Sequence, residues 1–238
     1  MLAQTVISRS SSRHPAAHVA SHAATRAARP VPPVSSHPVN TSIEMMGASM
    51  PFARNTEIYG ENEPAEYLYK VISGTVRTYK VLNDGRRQIG AFYVAGDMFG
   101  LEIGDQHSFS AEAIVDCKVM VIKRSSVISL AARENDVARQ LWAMTAAELL
   151  RVQDHIMLLI KTAQERVAGF LLEMAKRAPA GNEIDLPMSR QDIADYLGLT
   201  IETVSRTLTQ LENSAAIAVP TSRRIVLRNR AALTRMNA

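Results

Sequence analysis

Between residues 57 and 123, apolar and polar positions alternate in short runs separated by turn residues. YLYKVI (67–72) ends at Ser73–Gly74, TVRTYKV (75–81) follows, and RQIGAFYV (87–94) leads to a turn at Gly96–Asp97. AEAIV (111–115) and KVMVIK (118–123) close the set. Asn83–Asp84–Gly85 sits between two of these runs. A tight hairpin needs positive φ at such positions, and Asn, Asp and Gly tolerate it. Short strands with Gly-bearing turns at near-regular spacing predict a small barrel or roll, which we assign to residues 43–132.

The period then lengthens. A short helix is expected over 125–132, and from Asn135 to Lys161 neither Gly nor Pro occurs. Within and just beyond that stretch Leu141, Thr145, Leu149, Val152, Ile156, Leu159 and Ala163 recur at three and four, the spacing of a coiled-coil seam. A helix this long has more apolar surface than one small roll can cover. A second copy of the chain is the simplest cover, through Leu141, Leu149, Val152, Ile156 and Leu159. The roll and the C-terminal domain burying the whole stripe is the alternative. The segment 133–161 is therefore taken as a dimerisation helix.

The last third, 162–238, is punctuated differently. A helix over 163–177 stops before Pro179–Ala180–Gly181, and EIDLPM (183–188) is extended. Ser189 is a good N-cap for a helix over 190–197, with Asp192 three residues on as a near capping box. Gly198 turns the chain and Thr200 caps a helix to about Asn213. AIAV (216–219), the turn TSRR (221–224) and IVLR (225–228) predict a basic-tipped hairpin. Helix, glycine turn, helix and wing make a winged helix-turn-helix.

Ile193, Ala194 and Leu197 of the first helix would face Val204, Leu208 and Leu211 of the second, with Leu199 at the corner. Glu202, Thr203, Ser205, Arg206 and Thr209 are left for the outer surface. Arg is the usual bidentate partner of guanine O6 and N7, Glu can accept from cytosine N4, and Ser can serve as donor or acceptor. Glu202, Ser205 and Arg206 are thus the candidate base readers. Ser189, Arg190, Thr200 and Thr203, near helix N-termini, and Arg223 and Arg224 on the wing, are the candidate phosphate contacts. A surface ion pair between Glu202 and Arg206, four apart, is the plainer alternative for those two.

Charge distribution agrees with a polyanion partner for the C-terminal part. The chain has 238 residues and a net charge of +4, divided as +4 over 1–42, −3 over 43–160 and +3 over 161–238. An acidic middle and a basic end are what a chain shows when only its C-terminal part meets a polyanion, here double-stranded DNA; a mild imbalance without meaning is the alternative. Residues 1–42 are rich in Ala, Ser, Pro, His and Arg and read as a disordered tail. His14, His18 and His22 would align on one helix face and could take a metal, but Pro15 opposes that helix. No compact apolar run resembles a secretory signal and none of 18 residues could span a membrane, so a cytoplasmic protein without membrane contact is expected. The one cysteine, Cys117, excludes a disulfide framework or a cysteine-only metal or iron–sulfur site within one chain. No phosphate loop, nucleophile elbow or metal-ligand spacing points to an enzyme.

The order of roll, long helix and winged helix-turn-helix resembles the CRP/FNR family of bacterial transcription regulators over about residues 45–238. SRQDIADYLGLTIETVSR, ending in Glu202, Ser205 and Arg206, is similar to the FNR and FixK branches. VQDHIMLLIKTAQERVAGFL is similar to their dimer helix and hinge, and IVLRNRAAL to the FixK-like branch. The resemblance implies an α+β fold with a cyclic-nucleotide-binding-like β-roll. It further implies a homodimeric activator on TTGA-N6-TCAA-type palindromes, acting with RNA polymerase on low-oxygen, nitrogen-fixation or denitrification genes. By family position the loop from Glu102 to Phe109 is a candidate polymerase contact.

Departures from the family bear on the signal. The tail lacks the cysteine cluster of oxygen-sensing relatives. Asp105–Gln106–His107–Ser108–Phe109–Ser110 lacks the Arg that holds a cyclic nucleotide's phosphate, and Asp105 would repel it. Val152 stands where oxygen-sensing relatives place an Asp, and Ser189 where some FixK proteins place a redox cysteine. We therefore expect no cofactor and no small-molecule effector. A ligand- or haem-gated regulator, with His107 and Tyr93 as haem-side groups, is the alternative.

Overall fold

The computed structural model describes residue 43 and residues 45–102, 104–178 and 182–237. The tail, with its three spaced histidines, and the stop at Pro179–Gly181 lie outside the described residues. Two four-stranded antiparallel sheets form the N-terminal part. One runs β1 (Ala48–Phe52), β8 (Cys117–Lys123), β3 (Tyr67–Ser73) and β6 (Met98–Phe99). The other runs β2 (Glu57–Tyr59), β7 (Ser110–Ala113), β4 (Thr75–Val81) and β5 (Arg87–Val94). Tyr59, Tyr69, Val71, Val76, Tyr93, Phe99 and Val119 from both sheets share one core, as the alternation predicts. Edge strand β1 was not anticipated. Its ASMPF sequence is almost wholly exposed and carries a proline, so it has no alternation to find.

Strand β5 is buried on both faces. Thr78 pairs with Ala91 and Tyr79 with Ile89, leaving Gly90 as the extra residue of a bulge. The bulge puts Ile89 on the same face as Phe92, opposite Ala91 and Tyr93. Ala91 and Tyr93 join the roll core, while Ile89 and Phe92 join the core of the C-terminal domain.

Helices α1 (Arg124–Ala131) and α2 (Asn135–Leu159) follow the roll. The long helix ends two residues before the expected Lys161 because Thr162 already caps the next one. Its hydroxyl accepts from the Glu165 N–H and the Glu165 carboxylate accepts from the Thr162 N–H, a full capping box. Helix α3 (Ala163–Arg177) then packs into the C-terminal core with Val167, Phe170, Leu171 and Met174 buried. At Gly169 a Cβ would lie 2.6 Å from Leu158 Cδ1 and 2.7 Å from Asn237 Oδ1, so the close approach of α2, α3 and the chain's last turn needs glycine there.

The C-terminal domain adds β9 (Glu183–Asp185), α4 (Arg190–Leu197), α5 (Ile201–Asn213), β10 (Ile217–Thr221), β11 (Arg224–Leu227) and α6 (Arg230–Met236). Its sheet order is β10-β11-β9. The wing turn is tighter than expected, because Thr221 and Arg224 pair across it. Helix α6 was missed by the sequence reading. Its signal is Asn229, whose side chain accepts from the Ala232 N–H at 2.9 Å as an N-cap.

Candidate nucleic-acid interface

Two caps and one glycine aim the helix-turn-helix. Ser189 and Asp192 make a complete capping box at the start of α4. Gly198 closes that helix at φ 61°, ψ 42°, the left-handed conformation a C-cap needs. Thr200 then caps α5, accepting from the Thr203 N–H at 3.2 Å. Ile193, Ala194, Leu197, Val204, Leu208 and Leu211 are all buried together, with Leu199 packed against them, as the spacing predicts.

Glu202, Ser205 and Arg206 are exposed on one face of α5. Among the described residues no ion pair joins Glu202 to Arg206. The Glu202 carboxyl is held below its ordinary range first by its own backbone N–H, then by the Thr200 hydroxyl, with Arg206 contributing least. The surface ion pair is therefore not what organises this face. Thr209 is exposed, but its hydroxyl donates to the Ser205 carbonyl at 3.1 Å.

The candidate phosphate contacts divide. Arg223 is exposed at the wing tip. Arg224 is instead drawn across the sheet into an ion pair with Glu183. The Ser189 hydroxyl donates to Asp192 Oδ2 at 2.8 Å and accepts from the Asp192 N–H at 3.0 Å, so it is a cap rather than a free phosphate donor. The hydroxyls of Thr200 and Thr203 bond each other at 3.1 Å. Arg190 is half-buried, with one terminal nitrogen enclosed and without an acceptor, and burial lowers its pKa. Ser189 and Thr200, small polar residues at helix starts, satisfy orphan N–H groups of their own chain.

The long helix leaves an uncovered apolar stripe. Trp142 is 78% exposed, Leu149 57%, Val152 45% and Ile156 56%. Trp142, Leu149 and Ile156 are seven residues apart, one seam position per two turns. Leu141, also expected in the seam, is half-buried. It packs on its own chain against the cluster of Ile43, Leu68, Ile122, Val127 and Val137, and Trp142 stands beside it in the exposed stripe. Leu159 is half-buried. The roll and the C-terminal domain cover the opposite side of α2, where Val137 and Leu158 are buried.

Within the roll, the proposed haem-side groups have internal partners. The Tyr93 hydroxyl donates to Glu148 Oε1 at 3.1 Å. His107 is buried, stacks on Tyr59 with ring centroids 3.6 Å apart, and has its Nδ1 3.0 Å from Glu102 Oε2. Of the candidate polymerase loop, residues 104–106 and 108 are exposed and Ile103 is outside the described residues. Cys117 is buried, as expected of a small apolar side chain. No group of three or more metal-ligating side chains occurs among the described residues, and no described helix is long and apolar enough to cross a membrane.

The joint between the two domains was not legible beforehand. Asp192 Oδ1 accepts from Arg77 at 2.7 Å and from Arg87 at 2.6 Å, both on the roll. Arg87 also donates to Asp195 at 2.8 Å, and Arg77 to Glu112 at 2.9 Å. The partners that cross the joint, Arg77 and Arg87 with Asp192 and Asp195, lie over 100 residues apart in the chain, and no local spacing marks them.

Comparison with known proteins agrees with this architecture. Residues 165–236 match the Crp-like helix-turn-helix domain model and residues 49–134 the cyclic nucleotide-binding domain model. The chain is 50% identical over 202 residues to the nitrogen fixation regulation protein FixK of Azorhizobium caulinodans, covering 82% of each. It is 42% identical over 170 residues to FixK of Rhizobium meliloti, covering 71% of this chain and 77% of that one. The structure of FixK2 from Bradyrhizobium japonicum superposes with a TM-score of 0.78 at 54% identity, covering 81% of this chain and 98% of that one.

Proposed function

This chain belongs to the FixK branch of the CRP/FNR family of DNA-binding transcription regulators, and on that premise we propose that it activates nitrogen-fixation or other low-oxygen genes from TTGA-N6-TCAA-type palindromes as a homodimer. The carrying observation is the capped helix α5, which presents Glu202, Ser205 and Arg206 together to solvent. The exposed stripe of Trp142, Leu149, Val152 and Ile156 supports the second copy. A two-fold dimer would set its two recognition helices one DNA turn apart, about 34–36 Å.

In this reading the dimer binds DNA without a small-molecule effector, so output follows the amount of protein made. Three features support it. No Arg stands in the 105–110 stretch, the Tyr93 hydroxyl and His107 Nδ1 are engaged internally, and the seam carries Val152 rather than a charge. Its setting is the cytoplasm, with RNA polymerase as partner through the exposed part of the 104–108 loop. The test is a gel shift with metal-free, nucleotide-free protein on a TTGA-N6-TCAA duplex. A shift at low salt is expected, and its absence would sink the proposal.

A further inference from the structure

Asp192 has two tasks at once. Its Oδ2 accepts from the Ser189 N–H and hydroxyl at 2.9 and 2.8 Å, which fixes the first turn of α4. Its Oδ1 accepts from Arg77 on β4 and Arg87 on β5. The side chain is only 4% exposed, so both oxygens draw their stabilisation from these four donors rather than from water. Arg87 reaches on to Asp195, one turn along α4, and Arg77 is braced by Glu112 on β7. Tyr79 lies beneath both guanidinium groups, 5.9 and 6.0 Å from its ring centre. Alongside, Ile89, Phe92 and Ile114 of the roll make an apolar floor with the C-terminal core.

An apolar floor alone is poorly directional, because it is satisfied by many small rotations. A buried charge cluster is directional, since an Arg nitrogen moved off its carboxylate leaves both buried and unpaired. Helix α4 is packed on α5 through Ile193, Ala194, Leu197, Val204, Leu208 and Leu211. Whatever fixes α4 on the roll therefore fixes the recognition helix too. In a two-fold dimer joined along α2, that angle sets the distance between the two recognition helices.

We propose that Arg77 and Arg87, on the roll, are positioning residues for DNA recognition, which hold α4 through Asp192 and Asp195 and so determine the half-site spacing the dimer accepts. This rests on the palindrome reading above. It gives the roll a task that needs no ligand: it is the fixed jig against which the DNA-reading domain is aligned.

The test compares wild type with R77Q/R87Q, R87D and the charge swap R87D/D195R. Each is first checked for wild-type circular dichroism and dimer mass. Binding is then measured on the six-base-spacer palindrome, on the same palindrome with the spacer shortened or lengthened by two base pairs, and on a lone half-site. We expect R77Q/R87Q and R87D to weaken palindrome binding by about 2- to 30-fold, the range for changes along a coupling network. We also expect them to flatten the preference for the six-base spacer and leave half-site binding near wild type. R87D/D195R should recover part of the preference relative to R87D, because the swapped pair restores the contact at position 195 while Arg77 still holds Asp192. An unchanged spacer preference in the folded variants would overturn the proposal. So would equal losses on palindrome and half-site, which mark a merely structural role, or tighter palindrome binding, which would mean that the cluster holds the domain away from its DNA-reading angle. Should wild type itself ignore the palindrome, the functional reading fails first and this inference with it.

Discussion

His155 of the long helix and Tyr196 of the first DNA-motif helix lie ring on ring, centroids 4.0 Å apart and 13° from parallel, and the His155 Nε2–H donates to the Tyr196 carbonyl at 2.8 Å. Burial lowers the His155 pKa, and the backbone hydrogen bond only partly offsets this. The unfolded chain then binds a proton more readily than the folded one. The stability contributed by neutral His155 is fully present above the unfolded value of about 6.5 and is lost as pH falls from there toward the folded pKa. In H155F, which keeps a ring but not the titration, urea midpoints should fall less steeply than wild type below about pH 6.5. Parallel curves would remove His155 as the cause.

Ser189→Ala should lower stability by about 1 kcal/mol, the usual loss of an N-cap. Because the same hydroxyl bonds Asp192, the loss should be smaller in a background where Asp192 is already Asn. A urea double-mutant cycle measures that coupling, and strict additivity would contradict it.

On the DNA face two arginines should separate by mechanism. Arg206→Ala should cost about 1–3 kcal/mol on the palindrome and relax preference at one base of each half-site. Arg223→Ala should weaken all sequences alike and reduce the salt slope by about one per subunit. Fluorescence anisotropy across a salt series distinguishes them.

Val152→Asp should weaken the dimer, since facing like charges in the seam repel each other. Trp142 is the chain's one tryptophan, so its emission serves as a reporter. Dilution of wild type should shift emission to the red as the stripe is exposed, and V152D should sit at the red end at concentrations where wild type is dimeric by sedimentation. Coincident emission in both would place Trp142 outside the interface.

The sequence was most informative where neighbours along the chain decide the outcome. The α4–turn–α5 motif was legible because Ser189, Gly198 and Thr200 each act within four residues, and the roll because alternation is local. Strand β1 escaped because an exposed edge strand has no hydrophobic period. The half-burial of Arg190 and the Glu183 partner of Arg224 were not legible because both depend on the tertiary fold. Ile89 and Phe92 gave one overlooked hint. A strand apolar on both faces, as AFYV is, must be covered twice, and a second body packed on the roll follows from that.

Cys117 is the chain's one cysteine. Its thiol donates to the Thr75 and Val115 carbonyls at 3.2 and 3.0 Å, and burial raises its pKa. It is the thiolate that attacks thiol-directed probes, so this side chain is shielded from them both sterically and chemically. A cysteine introduced on the outer face of α5 can therefore be spin-labelled without first removing the native one. In a dimer such a label occurs once per subunit, and dipolar spectroscopy would read the gap between recognition helices directly, with and without DNA.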